Sequence, residues 1–302
     1  MVHHLITAHN ESDSLCHHHT AHKTVNNTVA STLIEEISLV HHQLGQIQDL
    51  KPSEHVNALF TKLVTMSTFQ YDDLTVSSVL TNPHIKALIP TLRSMASQGE
   101  YLLELTWATD LIEQTRKYQN DKPNLSRFVY YQNYEDLVQL ELHALHGVGA
   151  KLNNIVFIGS GPLPLSPILM FQSLPSTMMH NIDRDQDSIT VSNLLLQKLG
   201  IAHGFQQHVM DAIAYPDFDA ADVVMLGALV GQDAAEKMQF LKSIGANMKS
   251  GSFLVARSAH SLRKLLYPSI EPYQMNTCGF ETVCVLHPYN SVVNSIVIAK
   301  KI

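Results

Sequence analysis

From Val29 the apolar positions Val29, Leu33, Ile37, Val40, Leu44 and Ile47 recur at steps of three and four, which places them on one stripe of a buried helix. Pro52-Ser53 opens a second helix, with Val56, Leu59, Phe60, Leu63 and Val64 inward. Asn82-Pro83 starts another, through Ile85, Leu88, Ile89 and Leu92 with a kink at Pro90, and residues 100–118 and 134–147 also read as helical. After Gly147 the texture changes to short apolar runs alternating with helical patterns, the mark of parallel strands joined by crossover helices. Strands are predicted at 154–158, 178–182, 205–210, 221–226, 251–257, 279–286 and 292–299. Only His287–Ser291 separates the last two, too few residues for a crossover helix, so they are expected to form an antiparallel hairpin. The expected class is α/β, with a helical domain over 28–149 and a sheet domain over 150–302.

Residues 1–27 break the pattern. They are polar, hold seven histidines (His3, His4, His9, His17, His18, His19 and His22) and lack apolar periodicity, so a disordered arm is expected. Its imidazoles could scavenge metal, but without fixed ligand geometry no metal site is assigned. The whole chain has 302 residues, 45% hydrophobic and 16% charged, ample for a packed core and suited to two folding units.

A net charge of −7 offers no basic field for a phosphate backbone, so nucleic acid is not an expected partner. The three cysteines, Cys16, Cys278 and Cys284, form no CxxC pair, which argues against a disulfide framework or thiolate zinc and for a reducing, cytoplasmic setting. No apolar run approaches the roughly 18 residues of a membrane span. The histidine-bearing start is unlike a signal peptide, so no membrane association is expected.

Strand 154–158 runs into Gly159-Ser160-Gly161, and Pro162 is expected to begin a helix, where its missing N–H costs nothing. Backbone donors in such a turn can meet an anion or a ribose and carboxylate. Asp183 ends the next strand about 22 residues beyond Gly161, where an acid can accept two ribose hydroxyl hydrogens. Asp211 ends the third strand, within reach of an adenine amino group, and Leu226 and Ala228 at the end of the fourth are assigned to the same pocket. Each acid has a simpler reading as a helix cap. A dinucleotide loop would carry a third glycine so that strand and helix can close around a pyrophosphate. Here Pro162-Leu163-Pro164 stands instead, which favours a ligand without pyrophosphate, such as S-adenosylmethionine.

The chain resembles the nicotianamine synthase family. The stretches that carry the likeness are "LKPSEHVNALFTKLV" (50–64), "YYQNYEDLVQLE" (130–141), "FIGSGPLPLSPIL" (157–169), "HNIDRDQDS" (180–188), "ALVGQDAAEK" (228–237), "ARSAHSLRKLLYP" (256–268) and "NSIVIAKK" (294–301). They lie in order over roughly residues 29–302. The resemblance implies a helical domain lidding a Rossmann-like sheet of the class I methyltransferase type that binds S-adenosylmethionine. It also implies transfer of the 3-amino-3-carboxypropyl group to an amine, with release of methylthioadenosine and no metal requirement. The expected partners are therefore small molecules, S-adenosylmethionine and an amine or amino-acid acceptor, with a homodimer as the candidate assembly. Related opine-type synthases add one unit to another amino acid such as histidine, and a methyltransferase shares the fold and the glycine loop. Where plant relatives read D-I-D-P, this chain has Asp183-Arg184-Asp185-Gln186.

An attacking amine must be unprotonated, which calls for a base within hydrogen-bond reach. Glu104, in "YLLELTW" (101–107), is flanked by Leu103 and Leu105, and burial there would raise its pKa towards the useful range. The pattern alone leaves a solvated helix-face glutamate open; the resemblance places the family's catalytic glutamate here, with Glu100 as the fallback. One of Tyr130 and Tyr131 is expected to assist it, since a phenol can relay the proton. Arg257, Ser258 and His260, at the end of the fifth strand, are the substrate-side candidates. Arg257 could fork onto a substrate carboxylate or form a structural ion pair, and His260 is expected only to line the pocket.

Overall fold

The computed structural model describes residues 12–117, 122–231 and 233–302. Helix α1 (Ser12–Gly45) presents Leu33, Ile37, Val40 and Leu44 to a core shared with α2 (Glu54–Thr68), α3 (Asp73–Thr81) and the first half of α4 (Pro83–Lys117). The caps follow from the sequence. Ser53 accepts a hydrogen bond from the Val56 N–H, Asp72 from Leu74 and Thr75, and Asn82 from His84 and Ile85. α1 begins at Ser12, inside the stretch read as an arm: residues 12–45 contain no proline and no interior glycine, so a packed helix can extend through polar sequence at little cost. The start of that arm, with His3, His4 and His9, lies outside the described residues.

Two helical expectations change. α3 was not legible in the apolar pattern, because its short stretch buries only Thr75 and Val79. The helix expected at 100–118 is the continuation of α4, which runs through Pro90 without ending.

The strands are β1 (Asn154–Ile158), β2 (Met178–Asp183), β3 (Phe205–Val209), β4 (Val223–Leu226), β5 (Phe253–Ser258), β6 (Phe280–Leu286) and β7 (Ser295–Lys301). Helices α5 (Tyr131–Gly147), α6 (Leu165–Ser173), α7 (Gln186–Leu199), α8 (Ala234–Asn247) and α9 (Pro272–Asn276) complete the chain. The strands form one seven-stranded sheet in the order β3-β2-β1-β4-β5-β7-β6. The first five are parallel, and β7 inserts antiparallel between β5 and β6, so the expected hairpin pairs on both sides of β7.

Alternation along β1 divides the sheet's two faces. Ile155 and Phe157 pack with α5, α6 and the second half of α4, while Val156 and Ile158 face the α8 side. The hydrophobic core does not divide at residue 150. Ala108, Leu111 and Leu145 belong to the core of the first sheet face, and Leu262, Leu265 and Leu266, from the turn after β5, fill the core of the helical bundle.

Candidate functional site

α4 leaves one core and enters another. Leu92 and Ala96 are packed in the bundle, and Ala108, Leu111 and Ile112 against the sheet. In the span between them, Glu100 and Glu104 stand one turn apart on one helix face. Both line a cavity of about 570 Å³ that opens over the C-terminal ends of β1, β2, β3 and β4. This is where open α/β sheets place their ligands.

Tyr134, one turn into α5, reaches the same place. Its hydroxyl donates to Glu104 Oε1 at 2.9 Å and lies 3.3 Å from Glu100 Oε1, while Tyr267 donates to Glu100 Oε2 at 2.8 Å. Burial holds the Glu104 carboxyl well above the ordinary carboxylate range, and the negative charges of Glu100 and Asp183 add to the shift. The Tyr134 hydrogen bond and the more distant Arg257 oppose it. Glu100 is also raised, first by burial, against hydrogen bonds from Tyr267 and Tyr134. Both phenols are pushed well above their usual range by burial and by these carboxylates.

The glycine loop lies directly beneath. Gly159 and Gly161 have φ of +76° and +67°, the left-handed region that side chains rarely adopt. A Cβ on Gly161 would stand 2.6 Å from Glu104 Oε2, and one on Gly159 would stand 2.5 Å from Val230 Cγ2. The loop is therefore shaped both by its own conformation and by what crosses it. The Gly159 N–H donates to the Ile182 carbonyl at 2.8 Å, and the Gly161 N–H donates to Asp183 Oδ2 at 2.9 Å. Two buried polar atoms in the cavity wall, Ser160 Oγ and Asn294 Nδ2, have no hydrogen-bond partner. Orphaned groups of this kind, beside a cradle too tight for a side chain, fit a polar ligand.

Of the residues singled out in the sequence, Glu104, Gly159, Ser160, Gly161, Pro162, Asp183, Asp211, Ala228 and Arg257 all line this cavity, as does Glu100. Several expectations are corrected. Pro162 does not begin a helix: α6 starts at Leu165, because Leu163 precedes Pro164 and a residue before proline is disfavoured in the helical region. Tyr130 and Tyr131 do not line the cavity; Tyr130 sits at the N-cap of α5 against Phe128, and the phenol on Glu104 belongs to Tyr134. That tyrosine precedes the buried Leu137, Val138 and Glu141 at helical spacing, a signal present in the sequence. Tyr267 and Asn294 lie in the family-like stretches 256–268 and 294–301, but no local pattern marks either for the site.

Arg257 takes its structural role. Its Nε and Nη2 donate to both carboxylate oxygens of fully buried Glu141, at 2.8 and 3.0 Å, and Nη2 also donates to Ser166 Oγ at 2.8 Å. Ser258 Oγ accepts from the Ile270 N–H at 2.8 Å and is turned away from the cavity. His260 stacks on His287, ring centroids 4.2 Å apart, and does not reach the pocket either. Leu226 is buried in the sheet. Asp211 lines the cavity and also caps the short turn after β3, accepting from the Ile213 N–H at 2.9 Å.

The strand order, the antiparallel β7 and a ligand cavity at the ends of the parallel strands define a Rossmann-like protein of the class I methyltransferase type, covered by a helical bundle. The family model described as "Nicotianamine synthase protein" matches residues 25–302. Nicotianamine synthase 1 of Oryza sativa subsp. indica is 34% identical over 282 residues, 91% of this chain and 83% of the rice protein. Nicotianamine synthase 1 of Arabidopsis thaliana is 33% identical over 281 residues, 92% of this chain and 85% of the relative. This chain belongs to the nicotianamine synthase family. Among solved structures, MtNAS in complex with MTA and tNA has a TM-score of 0.69 at 20% identity, covering 93% of this chain and 98% of that one. A variant of MtNAS in complex with S-adenosylmethionine has a TM-score of 0.72 at 21% identity, covering 89% and 97%. The likeness to these structures is one of fold.

Proposed function

We propose that this site makes nicotianamine by transferring 3-amino-3-carboxypropyl groups from S-adenosylmethionine to an amine. The observation that carries the reading is the position of Glu104: a buried carboxyl, bonded to Tyr134, with Oε2 packed against the Cα side of Gly161 in the nucleotide-type loop. Family membership and the MtNAS complex with S-adenosylmethionine support the choice of ligand. The residues fit it: Asp183 and Asp211 at successive strand ends for the ribose and adenine side, and the unpartnered Ser160 Oγ for a polar atom of the methionine side.

Every carbon bonded to the sulfonium is electrophilic, so the enzyme selects the reaction by where it holds the amine. In this reading Glu104 and Tyr134 hold it at the γ-methylene. The nitrogen forms a bond to that carbon, the carbon–sulfur bond breaks, and its electron pair stays on sulfur, giving neutral methylthioadenosine. The proton leaves the amine for the Glu104 carboxylate, whose raised pKa makes it a usable acceptor near neutral pH. Asn294 Nδ2, buried in the cavity wall without a partner, is available to an acceptor carboxylate. A cytosolic setting belongs to the same proposal; Cys278 and Cys284 are free thiols, and no helix among the described residues is long and apolar enough to cross a membrane.

Incubation with S-adenosylmethionine alone is expected to yield methylthioadenosine and a product of nicotianamine mass by mass spectrometry. S-adenosylhomocysteine instead would show a methyl transfer and sink the reading. A product with one aminobutyrate unit, formed only when an amino acid such as histidine is added, would replace it with single transfer.

A further inference from the structure

Lys237, in the first turns of α8, is 2% exposed and has no carboxylate partner among the described residues. A lysine is rarely enclosed in this way. Its Nζ donates instead to two carbonyls of the turn after β4, Ala228 O at 2.9 Å and Val230 O at 2.8 Å. That turn is a wall of the ligand cavity. Its Val230 side chain closes on the Cα of Gly159, at the spot a Cβ would need. One amine thus fixes the turn that packs on the glycine loop at Gly159, while Glu104 packs on it at Gly161.

We infer that Lys237 is a positioning residue for S-adenosylmethionine, holding the Ala228–Val230 turn and, through Val230, the glycine loop in their binding shape. This rests on the ligand proposed above. The choice of a lysine is explained by the turn's geometry: the two carbonyls face inward from α8, where a neutral hydrocarbon would leave both without a donor. A neutral amine has two hydrogens, enough for both bonds. Burial lowers the Lys237 pKa to about 7, so the tether can hold without adding a full positive charge beside a sulfonium ligand. An arginine there would stay charged.

The test is equilibrium binding of S-adenosylmethionine to the full chain by calorimetry, paired with steady-state kinetics. Lys237→Met keeps the aliphatic stem and removes both hydrogen bonds; Kd and KM for S-adenosylmethionine should rise about tenfold, with kcat at saturation within about twofold of the parent. An unchanged Kd with only a lowered melting temperature would mean that the lysine merely supports the fold, and would overturn the inference. Should that variant not fold, Val230→Ala carries the test: both Lys237 bonds remain but the contact to Gly159 is lost, and a rise in Kd of about threefold or more is expected. Unchanged affinity there overturns it as well. A parent protein that fails to bind S-adenosylmethionine at all would instead refute the proposed ligand.

Discussion

Glu104 shows how a single residue acquires chemistry from its surroundings. On an isolated helix it would titrate like any glutamate; here burial, Glu100 and Asp183 all disfavour its charge. Glu104→Gln keeps the shape and the contact to Tyr134 but cannot accept a proton. Turnover is expected to fall about 10²–10⁴-fold with S-adenosylmethionine affinity nearly unchanged, measured by methylthioadenosine release and calorimetry. The same substitution has a stability signature. A carboxyl whose folded pKa is raised stabilises the fold fully below its unfolded pKa, and loses that contribution as pH rises through the folded value. The parent should therefore lose stability between the ordinary carboxylate pKa and neutrality more steeply than Glu104→Gln, and the variant should melt higher at neutral pH. A variant that melts lower at every pH would contradict the buried, charge-disfavoured state of Glu104.

At the scale of elements, the loop after β1 and the middle of α4 are fitted to each other. Gly161 supplies a left-handed backbone, an N–H for Asp183 and the space that Glu104 Oε2 occupies. Gly161→Ala strains the turn and displaces the carboxylate together, so it should weaken S-adenosylmethionine binding and lower kcat, whereas Glu104→Gln lowers kcat alone. Comparing Kd and kcat for the two variants separates the effects. Most elements were legible as sequence. Apolar steps gave α1, α2 and α4, and the short apolar runs gave all seven strands, because period and cap chemistry are local. α3, nine residues with two buried positions, carries too little periodicity to be legible, and α6 starts at Leu165 and not at Pro162 because the second proline, Pro164, disfavours a helical Leu163.

Across the whole molecule, the Arg257–Glu141 pair joins β5 to α5 beneath the cavity. Arg257→Met leaves a carboxylate buried without its partner, which should destabilise by about 3–5 kcal/mol and be read as a large drop in melting temperature. Adding Glu141→Leu removes the stranded charge and should recover most of the loss; failure to do so would show that the ion pair contributes more than mutual compensation.

The sequence alone determined the α/β class, the glycine loop with its strand-end acids and the family likeness, since these depend on local period, turn chemistry and short motifs; Glu104 as the base candidate followed from that likeness and not from the pattern around it. Tertiary structure decided which tyrosine meets Glu104, why Arg257 is held by Glu141, that Asn294 enters the cavity wall, and that Tyr267 and Lys237 are bonded to residues of that wall. Those contacts join residues far apart in the chain, some more than 100 positions distant, such as Tyr267 with Glu100. No local pattern encodes such a meeting; it follows from the crossing of packed elements, with α4 passing from the bundle core to the sheet across the mouth of the loop.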